Sequence, residues 1–342
     1  MTLNPSGAAV PRPRRTIPAT LFAVGLLVVA GAAVAATSVY YELRPATTPG
    51  SLHLTDDFGR SVTVPQDPGR VVVLGPSILD SMFRLGLRSH VVGVDCSPAE
   101  FGGLSGDYSP DQIALWSLAP SMCVQAEPLV VEQLLNATPD LVLATTIVSV
   151  ADVETIDQVY HIPVVMLQPP TLSGVAVDVT LLGAIFGVAA AAAHLVGVIS
   201  HGLANATDLA TNLTDNGTPF PTVLVTYSTD SNGYWTYGPG TFGESLIELA
   251  SASSIGANAT LAYPELSGEQ VLSIDPQILV YGTGFGLTES SYTSAPFWSS
   301  LSAVNDGELF GLDSNWLTEP DPTMILTGLP QLIAIFHPGS SA

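Results

Sequence analysis

The chain has 342 residues, enough for two domains of ordinary size. Hydrophobic residues make up 47%, so a sizeable core is available, while charged residues make up only 11%, against the usual ~25%. The net charge is −22, all eight cations are arginines, and none follows Arg88, which argues against nucleic acid as a partner and against docking of the body on anionic lipid.

A halophile would reach that charge with many more carboxylates. Here charges of both signs are scarce and Ser, Thr, Asn and Gly are abundant. This pattern fits an exterior facing acid, where protonated carboxyls leave a surface without Lys or Arg free of positive self-repulsion. Compositional drift is the competing explanation.

In chain order, residues 1–16 form a basic tail ending in "PRPRR". Ile17 to Tyr40 carries no charge and is long enough to span a bilayer. Arginines before it and none just after place the N-terminus inside and the body outside. The segment reads as a retained transmembrane anchor. "AVAAT" near its end keeps a cleaved signal open as the alternative. Residues 41–51 are a linker, and no Cys follows the segment closely enough for a lipid anchor. Five N-x-[ST] sequons, at Asn136, Asn205, Asn212, Asn216 and Asn258, agree with an outside location. Cys96 and Cys123, the two cysteines, are a candidate disulfide in an oxidising compartment, the alternative being two buried thiols.

"SVTVP" alternates as a strand does, after the turn signal "DDFG". "RVVVLG" is a short apolar run, as in a strand buried on both faces. "SILDSMFRLGL" has helical spacing and ends at Gly86, followed by the strand "HVVGVD". "PLVVEQLLNATPDLVLATTI" predicts helix, turn and strand, and "VETIDQVYHIPVVML" predicts helix and strand. Residues 172–213 show no strand signal and are helix-compatible throughout. A buried long helix is favoured over a second membrane span because of Asp178, His194 and His201. The alternation then returns with "TVLVTYS", "FGESLIELAS", "GEQVLSI", "QILVYGTG", "ELFGLD" and "PTMILTGLPQLIAIF". Strands alternating with helices imply βα units around parallel sheets. The fold class is therefore α/β, with an N-terminal lobe (52–171), a bridging helix (172–213) and a C-terminal lobe (214–342).

The lobes carry an internal echo. "EQLLNATPDLVLA" starts at Glu132 and "EQVLSIDPQILVY" at Glu269, each with Pro seven residues after the glutamate. Repetition suggests duplicated architecture and puts one glutamate near a helix start in each lobe. The glutamates are either helix-start residues and nothing more, or a pair of acidic knobs for a basic partner.

"GPGTFG", Gly238 to Gly243, fits G-x-G-x-x-G, but no strand immediately precedes it, which weakens a dinucleotide reading. No G-x-S-x-G or H-E-x-x-H occurs, and the six His show no metal-ligand spacing. No catalytic and no metal residues are assigned.

"DDFGRSVTVPQDPGRVVVLGPS", "RLGLRSHVVGVD", "VEQLLNATPDLVLA", "HIPVVML", "GEQVLSIDPQILV" and "FWSSLSAVNDGELFGLD" follow one another as in one family. Over residues 52–338 the chain resembles the substrate-binding proteins of ABC importers for cobalamin, ferric siderophores and haem. The resemblance implies two Rossmann-like lobes bridged by one long rigid helix, with a ligand cleft between them. It implies Pro76 and Ser77 in the lobe-one cleft loop, and Tyr227, Tyr263 and Trp316 as cleft aromatics, with ordinary packing as the alternative for each aromatic. It implies Glu132 and Glu269 as docking points for the permease, which works with an ATPase. No intrinsic cofactor is implied; cobalamin or a ferric siderophore would be cargo. Arg60, Arg70, Arg84 and Arg88 do not look cleft-facing, so a roughly neutral ligand is expected over a strongly anionic one. The resemblance places the protein outside the cytoplasm, at the cell surface, as a monomer. A surface receptor or adhesion module that keeps the fold without the importer is the alternative.

Overall fold

A computed structural model of the chain describes residues 44–45, 50–95, 123–229, 233–283, 288–313, 317 and 319–339. The apolar segment 17–40, Cys96 and Trp316 lie outside the described residues.

An antiparallel hairpin opens the body, β1 (Ser51–Thr55) with β2 (Ser61–Pro65); a two-residue strand, Arg44–Pro45, pairs with β1. In β2 the valines face in and the Ser and Thr face out. Its turn is organised by Asp56, which is 4% exposed. Asp56 Oδ1 accepts the N–H groups of Phe58 (3.1 Å) and Arg60 (3.0 Å). Its Oδ2 accepts Arg60 Nε (2.9 Å) and the N–H of Met166 (3.2 Å), so the carboxylate clamps the hairpin to the first sheet. Asp57 adds a bond from the Gln168 N–H.

The first lobe is a five-stranded parallel sheet. Its elements are β3 (Val71–Leu74), α1 (Pro76–Arg84), β4 (Val91–Asp95), β5 (Cys123–Val124), α2 (Val131–Asn136), β6 (Leu141–Ala144), α3 (Val150–Gln158) and β7 (Val164–Met166), with sheet order β5-β4-β3-β6-β7. Every residue of β3, β6 and β7 is buried, because helices cover both faces. Pro76 at the first turn starts α1, and Gly86, at φ +75°, closes it.

The expected single helix over 172–213 is two. Helix α4 (Gly174–Ile185) ends before Gly187, at φ +67°, and α5 (Ala189–Asp215) follows. The left-handed glycine turns the chain back so that α5 packs on α4. The approach is close: a Cβ on Gly183 would lie 2.3 Å from Ala192 Cβ. α5 is long and apolar enough to cross a membrane by length and composition. It is buried along one stripe, Ala192, Leu195, Ile199, Ala206 and Ala210. Its other positions are mostly small residues with little apolar area to hide.

The second lobe holds β8 (Thr222–Thr229), β9 (Tyr234–Thr236), α6 (Phe242–Leu249), β10 (Glu265–Leu266), α7 (Gly268–Ile274), β11 (Ile278–Thr283), α8 (Glu289–Thr293), α9 (Ser302–Asp306) and β12 (Leu309–Asp313). A π-type stretch, Met324–Gly328, then leads into α10 (Leu329–Phe336). The order is β10-β9-β8-β11-β12, with Ser253–Ser254 also pairing β8. β8, β11 and β12 are parallel, but β9 and β10 are antiparallel, so this sheet is mixed where a parallel one was expected.

The repeated sequence unit has a repeated shape. In each lobe its strand, β6 or β11, lies beside the lobe's first strand, β3 or β8. Six residues after each glutamate comes a non-glycine residue in the left-handed region, Thr138 (φ 44°) or Asp275 (φ 47°). Two residues further on, the same ladder bond recurs: Asp140 N–H to Arg70 O (2.7 Å) and Gln277 N–H to Thr222 O (2.8 Å).

Candidate functional site

The loop after β3 delivers Ser77 to the start of α1. Gly75 is required there, because a Cβ would lie 2.3 Å from Thr145 Cγ2. Ser77 is 4% exposed, and Pro76 beside it is partly buried. Ser77 faces the carboxyl of Glu319, which comes from the second lobe, and its polar groups favour the ionised form of that carboxyl. A helix start is a favourable seat for a carboxylate. Even so, burial pushes Glu319 up to about 7, Ser77 offsetting only part of the effect.

Tyr263 lies close enough to Glu319 for the carboxylate to add to the burial that raises the phenol. From Tyr263, 51% exposed, an aromatic ladder runs inward. Its ring centroid is 6.1 Å from that of Tyr227, edge-on, and Tyr227 is 4.9 Å from Tyr237, which is 2% exposed. Burial, and then Tyr263, push Tyr227 up to about 12, so it remains a neutral donor. The result is a graded wall: rigid apolar faces, with one hydrogen-bonding carboxyl at the end.

The structure thus brings Ser77, Tyr263 and Tyr227 together through Glu319, a residue the sequence analysis passed over. The signal was present as "TEPDPT", two carboxylates among prolines just before the last helix. Of the other expected site residues, Trp316 lies outside the described residues. Glu132 and Glu269 are exposed, each the second residue of its helix, in equivalent places on the two lobes. Cys123 is disulfide-bonded, while Cys96 is outside the described residues.

Arg84 links the two lobes: Nε donates to Asp80 (2.8 Å) and Nη2 to Thr323 Oγ1 (2.7 Å). Arg60 is held on the hairpin, and Arg70 is held by Thr138 O (2.9 Å) and Ala137 O (2.6 Å) in the first lobe. Behind Ser77 a cavity of about 10 Å³, the size of one water, is lined by Ser81, Asp178 and Pro320 among others. Among the described residues no three of His, Cys, Asp or Glu are placed to hold a metal ion.

The "GPGTFG" glycines are packing devices. Gly238 faces Leu261 O, Gly240 has φ +82°, and a Cβ on Gly243 would lie 2.2 Å from the Tyr237 ring. Replacing Gly243→Ala is expected to displace Tyr237 and cost about 1–3 kcal/mol, read as a lower urea midpoint. An unchanged midpoint would refute that packing role.

The periplasmic binding protein profile matches residues 71–316. A cobalamin-binding protein of Halobacterium salinarum is 29% identical over 289 residues, covering 82% of this chain and 73% of that protein. Two solved structures share the fold. One is from an Fe3+-hydroxamate transport system of Saccharomonospora viridis, with TM-score 0.65 and 21% identity over 84% of this chain and 99% of that one. The other is a periplasmic haem-binding protein of Pseudomonas aeruginosa, with TM-score 0.66 and 23% identity over 80% and 94%. With most of both sheets inside the matched span, the chain belongs to the periplasmic binding protein family.

Proposed function

We propose that the protein is the extracytoplasmic substrate-binding component of an ABC importer, capturing a cobalamin-like corrinoid or a neutral ferric siderophore and delivering it to a permease. The observation that carries this reading is the wall of Tyr263 and Tyr227 ending at Glu319 and Ser77, which offers apolar area and neutral hydrogen-bond partners. A carboxyl titrating near 7 is uncharged in acid and disfavours an anion above it. The cobalamin-binding relative supports the corrinoid choice. Trp316 would add a third aromatic. The segment 17–40 would anchor the body to the membrane, and a Cys96–Cys123 bond would suit an oxidising exterior. Glu132 and Glu269, exposed and equivalently placed, would meet basic residues of the permease, which its ATPase drives. The family is one of binding proteins, and no catalytic role is assigned.

Calorimetric titration of the full chain with cyanocobalamin, a neutral ferric hydroxamate, haem and an anionic ferric catecholate tests the ligand class. Tight binding of one neutral chelate is the expected result. No binding of any by folded protein would transfer the assignment to a surface receptor or adhesion module. In proteoliposomes with its permease and ATPase, the Glu132→Ala, Glu269→Ala double variant should lose ligand-stimulated ATP hydrolysis while keeping ligand affinity. Intact stimulation would sink the docking assignment.

A further inference from the structure

Two buried aspartates from different lobes meet where the C-terminal helical segment begins. Asp80, in α1, is 2% exposed and Asp321 is 4% exposed. Asp321 Oδ1 accepts the N–H of Met324 at 2.7 Å, the usual bond of an aspartate before a proline-initiated helix. Asp80 Oδ2 accepts the adjacent N–H, that of Thr323, at 3.2 Å. Successive amides of one helix start are therefore claimed by carboxylates from opposite lobes.

Arg84 is bonded here, through Asp80 Oδ2 and Thr323 Oγ1. Glu319, two residues before Asp321, faces the contact with Ser77 and Tyr263 around it. From α4, Asp178 reaches the same cavity as Ser77, Ser81 and Pro320. Several carboxyls thus gather beside the Arg84 guanidinium, in a place where burying charge is costly.

We propose that the Asp80–Asp321 contact is a proton-operated latch between the lobes, tight when the pair holds one proton and loose when both are ionised. A protonated Asp321 keeps Oδ1 on the Met324 amide and leaves its other oxygen as an O–H donor towards Asp80. When that proton passes to solvent, two carboxylates face each other beside Arg84. The direction agrees with the environment. Burial, and then the Asp80 charge, hold Asp321 well above the ordinary carboxylate range, against the opposing pull of the Met324 amide and Arg84. An importer subunit so built holds its lobes together in an acid exterior and loosens them towards neutrality. The latch is a property of the protein without ligand, so it stands or falls separately from the transport reading.

Nitroxides on the full chain carrying Glu154→Cys in α3 and Ser273→Cys in α7, both exposed positions, report the distance between lobes by pulsed electron paramagnetic resonance. The native Cys123 is disulfide-bonded and takes no label. The distribution should be narrow at pH 4 and become longer and broader at pH 8. Adding Asp321→Asn, which keeps the cap acceptor but cannot ionise, should hold the pH 4 distribution at both pH values. Asp80→Asn, which leaves the cap untouched, should do the same, so a folding defect in one variant leaves the other to decide. Identical distances at both pH values without these changes, or an unaltered pH response in the Asn variants, would overturn the proposal.

Discussion

At pH 4 the protein is expected to melt at a higher temperature than at pH 8. Most domains are most stable between about pH 5 and 8, because paired carboxylates lose their partners in acid. Here the buried carboxyls are shifted the other way. Glu244, 4% exposed at the start of α6, has neither oxygen in hydrogen-bond geometry with a protein group. Burial pushes it from 4.5 to about 7, with Ser254 offsetting a part and Glu248 adding a little. Glu319 moves by the same amount, and Glu248 and Asp321 are raised too. A folded-state value above the unfolded one means that the folded chain holds the proton more tightly. The stability this confers is complete below about 4.5 and is lost as pH rises through about 7. For Glu244 the loss is roughly 3 kcal/mol; for the partly exposed Glu319 it is smaller, because solvent screens the charge. Asp275, lowered by its bonds from Ser302, acts in the opposite sense from an exposed position. Differential scanning calorimetry between pH 3 and 9 reads the net effect. Glu244→Gln should flatten the curve between pH 5 and 8 and raise the midpoint at pH 8. A midpoint at pH 4 equal to or below that at pH 8 would refute both the account and the acid-facing exterior inferred from composition.

Asp56→Ala is expected to cost about 3–5 kcal/mol at pH 7, the range for removing one partner of a buried ion pair. The five bonds that Asp56 accepts bind the hairpin turn to itself and to Met166 at the edge of the first sheet. Alanine leaves three backbone amides and a guanidinium without that acceptor, and it frees the hairpin from β7. Asp56→Asn keeps one carbonyl oxygen and should lose less. Urea unfolding of the three proteins gives the comparison. A loss below about 1 kcal/mol for Asp56→Ala would show that water replaces the carboxylate at little cost.

The order of strands and helices was legible because each buried strand is a compact valine- or leucine-rich run and each is followed by a helical pattern. The repeated Glu-Gln unit was legible as a duplication, and its left-handed corners at Thr138 and Asp275 bear that out. Strands β9 and β10 were not legible: three and two residues carry no period, and their pairing is set by partners far along the chain. The break at Gly187 was hidden by alanines that favour helix on either side. At the candidate site, Ser77, Tyr227 and Tyr263 were named from the resemblance, while their neighbour Glu319 was not. No local pattern tells a loop carboxylate that its partner is the start of a helix in the other lobe. The interlobe bond of Arg84 was hidden for the same reason, since its second partner, Thr323, is 239 residues away in sequence.

The confinement of cations to the first 88 residues has a practical side. A protease that cuts after arginine or lysine finds no site beyond Arg88, and Arg60, Arg70 and Arg84 are tied into hydrogen bonds of the folded chain. The whole second lobe would travel as one fragment through tryptic mapping. With no lysine, the chain's sole primary amine is its N-terminus, and reagents that target amines leave the body unmarked. What this surface offers to chemistry, and to any neighbour it meets, is carboxyls, hydroxyls and amides.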